Sequence, residues 1–243
     1  MTQALDIDIA EKRYGTRTVL RDVRIGLRQG EVVSLIGASG CGKSSLLAIA
    51  SGLDRDYRGR IALHGAALNG VSRDIGFIFQ EPRLFPWLTV AQNVAFDSDN
   101  DAAAQKRAAR LLEEVGLHEH AQALPKQLSG GQAQRAAIAR GLFSHPRVLL
   151  LDEPFSAVDA FTRMKLQDLL LKVAQQRELT VLLVTHDIDE ALYLSDRILL
   201  LDGAASPALT EFHTSPQPRR RGDAAQAALK SAILDTLHAA HAI

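Results

Sequence analysis

The stretch that most restricts the fold of this chain is EVVSLIGASGCGKSSLLAIASGL, positions 31 to 53. A short apolar run ends in a glycine loop, and the loop leads straight into a segment with helical spacing. Gly37 to Ser44 match the pattern G-x-x-x-x-G-K-[ST]. Gly37, Gly40 and Gly42 free the backbone to turn its N–H groups inward around phosphate oxygens. A helix beginning at Ser44 adds a partial positive charge at its N-terminus. Lys43 then reaches the β- and γ-phosphates, and the Ser44 hydroxyl binds Mg2+. A plain glycine turn is the other reading, but a strand before and a helix after are what the phosphate loop requires. Cys41 stands at a variable position and reads as a tolerated small residue, not a nucleophile.

The rest of the chain supplies the sheet that such a loop needs. Leu5, Ile7 and Ile9 alternate, as do Val23, Ile25 and Leu27, which predicts half-buried strands. VLLL and TVLLVT are continuous branched runs, suited to parallel strands covered on both faces. From about Val90 to His145 the spacing becomes helical; DAAAQKRAARLLEEVGL ends at Gly116, a C-cap glycine. The plan is an α/β core interrupted by a mostly helical insertion. QPRRRGD reads as a solvated loop, and the last twenty residues as an amphipathic helix. With 243 residues and 47% hydrophobic content, the chain can bury a large core. Its 28 Lys and Arg balance 28 Asp and Glu, so no global field draws it to nucleic acid. One cysteine excludes an intrachain disulfide framework and fits a reducing compartment. No basic segment with an apolar core opens the sequence, and no apolar run approaches the roughly 18 residues of a membrane span.

Further candidates stand beyond the ends of strands. RVLLLDEP puts Asp152 and Glu153 at the carboxyl end of a buried run, where a parallel sheet holds its ligands. Asp152 there would hold Mg2+ opposite Ser44. Glu153 is positioned as general base, or to orient water, for attack on the γ-phosphate. His186 follows TVLLVT; it either bonds the γ-phosphate and Glu153 or is a surface histidine before a helix. Asp187 and Glu190 have capping-box spacing, so Asp187 starts that helix. Gln80 ends the strand IGFIFQ, where its amide suits Mg2+ or the attacking water. LSGGQ, positions 128 to 132, is a second glycine-bearing helix start.

In this order and spacing, these stretches resemble the ATP-binding cassette (ABC) ATPase family, from Tyr14 to about Asp202. The resemblance implies a P-loop NTPase, RecA-like core with an N-terminal antiparallel β subdomain and an inserted α-helical subdomain. Residues 1–88 and 146–205 would form the β subdomain and core, 89–145 the helical part, and 206–243 a tail and helix. It further implies that Tyr14 stacks on adenine. The phosphate loop, Gly37, Ala38, Ser39, Gly40, Cys41, Gly42, Lys43, Ser44 and Ser45, would hold ATP with Mg2+. The metal would sit on Ser44, Gln80 and Asp152, and catalysis would use Glu153, His186 and Gln80. Asp159 ends SAVD, which resembles the family's D-loop with valine at position 158 in place of the more usual leucine. The family works as head-to-tail dimers. Ser129, Gly130, Gly131 and Gln132 of one subunit would therefore close over the ATP held by its partner, in a homodimer or a heterodimer with a similar ATPase.

EPRLFPWLTVAQNV, LDEPFSAVDAFTRMKLQDLLL and THDIDEALYLSDRILLL resemble the ATPases of nitrate, sulfonate and taurine importers. That implies a peripheral subunit on the cytoplasmic face of the bacterial inner membrane. It would drive integral-membrane permease subunits fed by a periplasmic or lipid-anchored solute-binding protein, with no nucleic acid. Leu84, Phe85 and Trp87 are either a patch tucked under a loop or a groove for a permease helix. The tail matches less well: AASPAL replaces an expected glycine turn near residue 205, and no added regulatory domain is expected. The alternatives are an exporter or lipid-transport ATPase, or a soluble ABC ATPase. The short gap before LSGGQ and the absence of a sustained heptad repeat speak against the DNA-linked types.

Overall fold

Alternation near the start of the chain produces two long strands, β1 (Gln3–Tyr14) and β2 (Arg17–Arg28), which pair antiparallel. With β4 (Arg58–Leu63) and β5 (Ala66–Ala67) they form a four-stranded antiparallel sheet, ordered β2-β1-β4-β5. Leu5, Ile7 and Ile9 share its buried face. The coordinates are a computed structural model that describes residues 3–96, 98–99, 101–202, 209–217 and 219–241. AASPAL, apart from its last residue, and the expected boundary near 205 lie outside the described residues.

The continuous apolar runs form a second sheet of β3 (Val32–Gly37), β6 (Ile75–Ile78), β7 (Val148–Asp152), β8 (Thr180–Val184), β9 (Arg197–Leu201) and β10 (Leu209–His213). Its order is β10-β9-β3-β8-β7-β6, parallel except for β10. Val148 to Leu151 and Val181 to Val184 are fully buried, as strands covered on both faces must be. One cover is the antiparallel sheet with α1 (Lys43–Ala50). The other contains α2 (Val90–Val94), α3 (Ala102–Glu114), α4 (Gly130–Gly141) and α5 (Ala160–Arg177). A smaller core joins α6 (Ile188–Leu194) to α7 (Ala227–His241) through the buried Ile233. Between β6 and β7 the described regular elements are all helical, and Gly116 follows α3 with φ +67°.

Four expectations change in detail. The helix after the phosphate loop starts at Lys43, one residue early, because Gly42 at φ +106° makes the turn into it. β6 is an edge strand whose ladder ends at Ile78, so Gln80 stands two residues beyond the strand rather than ending it. Asp187 does cap α6, accepting from the Glu190 N–H at 3.1 Å. The Glu190 carboxylate, however, does not return to the cap. It is buried and accepts from Gln167 Nε2 at 3.0 Å, and burial pushes its carboxyl pKa up. QPRRRGD is not simply solvated. Arg219 is only 7% exposed and bonds Asp196 at 2.8 Å, while Arg221 bonds Asp168 at 2.6 Å. Burying a guanidinium costs much unless it finds a carboxylate, and Asp196 just before β9 provides one.

Candidate nucleotide site

The order β3-β8-β7-β6 brings the candidate residues together. Leu35 pairs with Val184, and Val184 with Asp152, so neighbouring strands end level. The phosphate loop leaves β3, His186 follows β8, Asp152 and Glu153 close β7, and Gln80 follows β6. All therefore emerge at one carboxyl edge, where parallel sheets bind ligands.

The loop is shaped by close approach. A Cβ on Gly37 would meet the Leu201 carbonyl at 2.5 Å, and one on Gly42 the Leu20 side chain at 2.6 Å. At Gly40, by contrast, nothing lies within 4 Å, so the loop faces open space there. Ser39 is exposed, and Ala38 and Ser45 are half-buried. Lys43 is 7% exposed, and its Nζ donates to the Gly37 and Ala38 carbonyls at 2.9 and 2.8 Å. Cys41 is buried in the apolar core under the loop, with its Sγ 3.8 Å from Lys43 Nζ.

Across the crevice, Ser44 Oγ donates to Asp152 Oδ1 at 3.2 Å. Burial pushes the Asp152 carboxyl pKa up, the Ser44 hydrogen bond works against this, and the neighbouring Glu153 charge adds to the rise. A cation at this point would relieve that cost. Glu153 has φ +44°, in the left-handed region, and its Oε2 meets His186 Nδ1 at 3.1 Å. Gln80 Nε2 donates to Ser156 Oγ at 3.4 Å, and Ser156 Oγ donates to the Glu153 carbonyl at 3.0 Å. Tyr14 is 53% exposed at the crevice rim; its hydroxyl lies 3.3 Å from Ser45 Oγ, and Lys12 sits over its ring at 4.6 Å.

Ser129 caps α4. Its Oγ accepts from the Gln132 N–H at 3.3 Å, and Gln132 Oε1 accepts from the Ser129 N–H at 2.8 Å. Gln132 Nε2 is also 2.9 Å from His120 Nε2, so its amide is occupied within its own subunit. Ser129 and Gly130 are exposed, whereas Gly131 is buried against Thr162. Asp159 caps α5, accepting from the Phe161 and Thr162 N–H groups at 3.1 and 3.0 Å. The structure thus gathers Gln80, Asp152, Glu153 and His186 with the phosphate loop. The contacts of Ser129 to Gln132 are with His120, Ala157 and Thr162 instead.

An ABC transporter family model matches residues 20–156. The chain belongs to the ABC transporter family. Among relatives of this ABC chain, an aliphatic sulfonates import ATP-binding protein of Xanthomonas axonopodis pv. citri is 60% identical, covering 100% of this chain and 98% of its own length. A second protein so named, from Pseudomonas syringae pv. tomato, is 53% identical over 98% of this chain and 100% of its own. The ATP-binding cassette MJ0796, solved as a post-hydrolysis dimer with ADP and Pi, superposes with a TM-score of 0.76 at 32% identity. It covers 87% of this chain and 99% of its own. The ABC fold expected from the motifs is the fold observed.

The ABC chain also contains organising residues that motif reading misses. Asn93 is fully buried in α2. Its Nδ2 donates to the carbonyls of Phe85, Leu88 and Thr89, and its Oδ1 accepts from the Phe85 N–H at 2.7 Å. It thereby shapes the loop that presents Trp87, 72% exposed, beside Phe85, which in turn stacks on Phe96. Arg140 of α4 donates to the Pro82 and Arg83 carbonyls at 2.8 and 2.7 Å, tying that helix to the segment after Gln80. A polar amide within a short apolar helical run was the one available signal for Asn93; Arg140 had none.

Proposed function

We propose that this chain is the ATP-hydrolysing subunit of a bacterial importer of aliphatic sulfonates. The observation that carries hydrolysis is the convergence of Lys43, Ser44, Asp152, Glu153 and His186 at one carboxyl edge. Sulfonate import is supported by relatives of that name at 51–60% identity over nearly the whole chain. An exporter, a lipid transporter or a soluble ABC ATPase is not favoured by those names.

The residues fit ATP with Mg2+. Among the described residues no cluster of three or more His, Cys, Asp or Glu is placed to hold a metal. The hydroxyl of Ser44 and the single carboxylate of Asp152 suit a hard cation that takes its other ligands from phosphate and water. Gln80 is the third ligand expected for that ion. Mg2+ bound there would neutralise charge on the β- and γ-oxygens.

Lys43 would exchange its two loop carbonyls for phosphate oxygens, a charge-assisted trade. Loop N–H groups from Gly37 to Ser45 and the start of α1 would hold the remaining oxygens. Glu153 would accept a proton from the attacking water at its carboxylate. His186 would keep that carboxylate oriented, and Gln80 would link it to the segment after β6. Tyr14 would stack on adenine. The Ser129 hydroxyl accepts within its own cap, which leaves its hydrogen to donate to a γ-phosphate held by a partner subunit, alongside Gly130, Gly131 and Asp159. No helix among the described residues is long and apolar enough to cross a membrane. The ring cluster of Phe85, Trp87 and Phe96, with Trp87 and Phe96 exposed, would be the surface for a permease subunit on the cytoplasmic face of the membrane.

The experiment is recovery of the tagged chain from gently solubilised membranes, with partners identified by mass spectrometry. A multispanning permease in stoichiometric yield, together with a binding protein that takes up an alkanesulfonate, is the expected result. Recovery with soluble assembly factors alone would leave the ATPase chemistry standing and overturn the import reading.

A further inference from the structure

The edge of the sheet opposite the nucleotide crevice carries a second charged recess. His145 precedes β7 and Arg177 precedes β8, so both lie at the amino ends of the parallel strands. With α3 they border a cleft of about 420 Å3 lined by Lys106, Arg107, Arg110, Glu114, His145 and Arg177. Four permanent cations and a histidine thus face one carboxylate in a chain whose total charge is zero.

That carboxylate is already engaged. Arg177 Nη2 donates to both oxygens of Glu114, at 3.0 and 2.8 Å. Arg107 lies 5.2 Å from the Phe143 ring, and its Nη1 donates to the Phe143 carbonyl at 3.4 Å, contacts that carry no negative charge. Among the described residues Lys106 and Arg110 have no hydrogen-bond or ion-pair partner. They stand four residues apart on one helix face, a like-charge spacing that destabilises an isolated helix by a few tenths of a kcal/mol. The local field is felt at His145, whose pKa is lowered by burial and then by Arg107 and Arg177, with Glu114 opposing.

We propose that this cleft is a binding site for a compact multivalent oxyanion, of the sulfate or phosphate class, held between α3 and the carboxyl end of α5. The recess is concave, and its excess of cationic side chains suits a multivalent anion. Its cations come from two separate elements, so an occupant would tie the helical segment to the core. Arg107 and Arg177 are already oriented by Phe143 and Glu114, and Lys106 and Arg110 supply the charge still uncompensated.

The test is histidine side-chain NMR on the full chain with Mg-ADP saturating the crevice, so that added anion cannot report on the phosphate loop. Sodium sulfate and sodium phosphate are titrated separately against sodium chloride at constant ionic strength. The expected result is a saturable shift of the His145 resonances with sulfate, phosphate or both, and little with chloride. Which anion binds tighter identifies the source. The exposed double variant Lys106→Glu, Arg110→Glu should weaken that binding about tenfold or more, leaving ADP affinity unchanged. Equal response to chloride, no response to any of the three, or a response undiminished in the variant would each overturn the site.

Discussion

The two glycine-bearing stretches of this chain are built on opposite principles. The phosphate loop is assembled by tertiary contact. Gly37 presses on Leu201, Gly42 on Leu20, and Lys43 is held by the loop's own carbonyls. Facing it, Asp152, Glu153 and His186 of the same chain complete a crevice. The Ser129–Gln132 turn is instead made almost wholly by its own capping box, and it leaves Ser129 and Gly130 exposed. One stretch faces acidic and imidazole groups of its own chain; the other is a helix start whose exposed residues face none of them within hydrogen-bond reach. A motif's meaning therefore rests on what the fold sets opposite it.

The sharpest way to break that contrast is Glu153→Gln. ATP binding should persist while turnover falls by on the order of 10²-fold or more, and an ATP-bound dimer should accumulate on gel filtration. Near-normal hydrolysis would remove Glu153 from the role proposed for it. Ser129→Arg probes the other stretch. Nucleotide affinity of the monomer should be unchanged and ATP-driven dimerisation lost; weaker monomer binding would place Ser129 in its own subunit's site instead.

Smaller effects sharpen how each stretch is held. A Cβ on Gly131 would lie 2.3 Å from Thr162 Cγ2, so Gly131→Ala should cost about 1–3 kcal/mol in denaturant unfolding. Adding Thr162→Ser removes the clashing methyl and should recover part of that loss. If the second change recovers nothing, the turn is set by its capping box without the α5 contact. Smallest is a control far from the Ser129 turn. Burial alone would raise the Asp168 carboxyl pKa, but hydrogen bonds from Arg221 and Tyr193 hold it below its usual range. A lowered carboxyl pKa stabilises the fold above the unfolded-state value, and that stability is lost as pH falls through the folded value. Asp168→Asn should therefore flatten the acid limb of a stability–pH profile slightly, by about 0–1 kcal/mol for so exposed a pair, and leave both stretches unaffected.

Much of the molecule was legible in advance because its signals are local. Leu5, Ile7 and Ile9 alternate, and they form the buried face of β1. Continuous apolar runs became strands covered on both faces, and Gly116 followed α3. What escaped was long-range pairing. Arg219 looked like part of a solvated basic run, and only the position of Asp196 made its burial favourable. Glu190 had the spacing of a capping partner, yet Gln167, twenty-three positions away, drew its carboxylate inward. Asn93 and Arg140 serve backbone carbonyls of loops whose paths no neighbouring residue announces.

By itself the sequence determined the chemistry of each candidate group, the period of each element and the presence of a phosphate loop between a strand and a helix. These follow from preferences that act over a few residues. Only the tertiary structure decided that β8 inserts between β3 and β7. That strand order places Ser44 against Asp152, and His186 against Glu153. The Ser129 turn makes its own hydrogen bonds apart from both pairs. The physical reason is that strand order answers to the burial of whole sheet faces, a balance summed over the entire core that no short window of sequence contains.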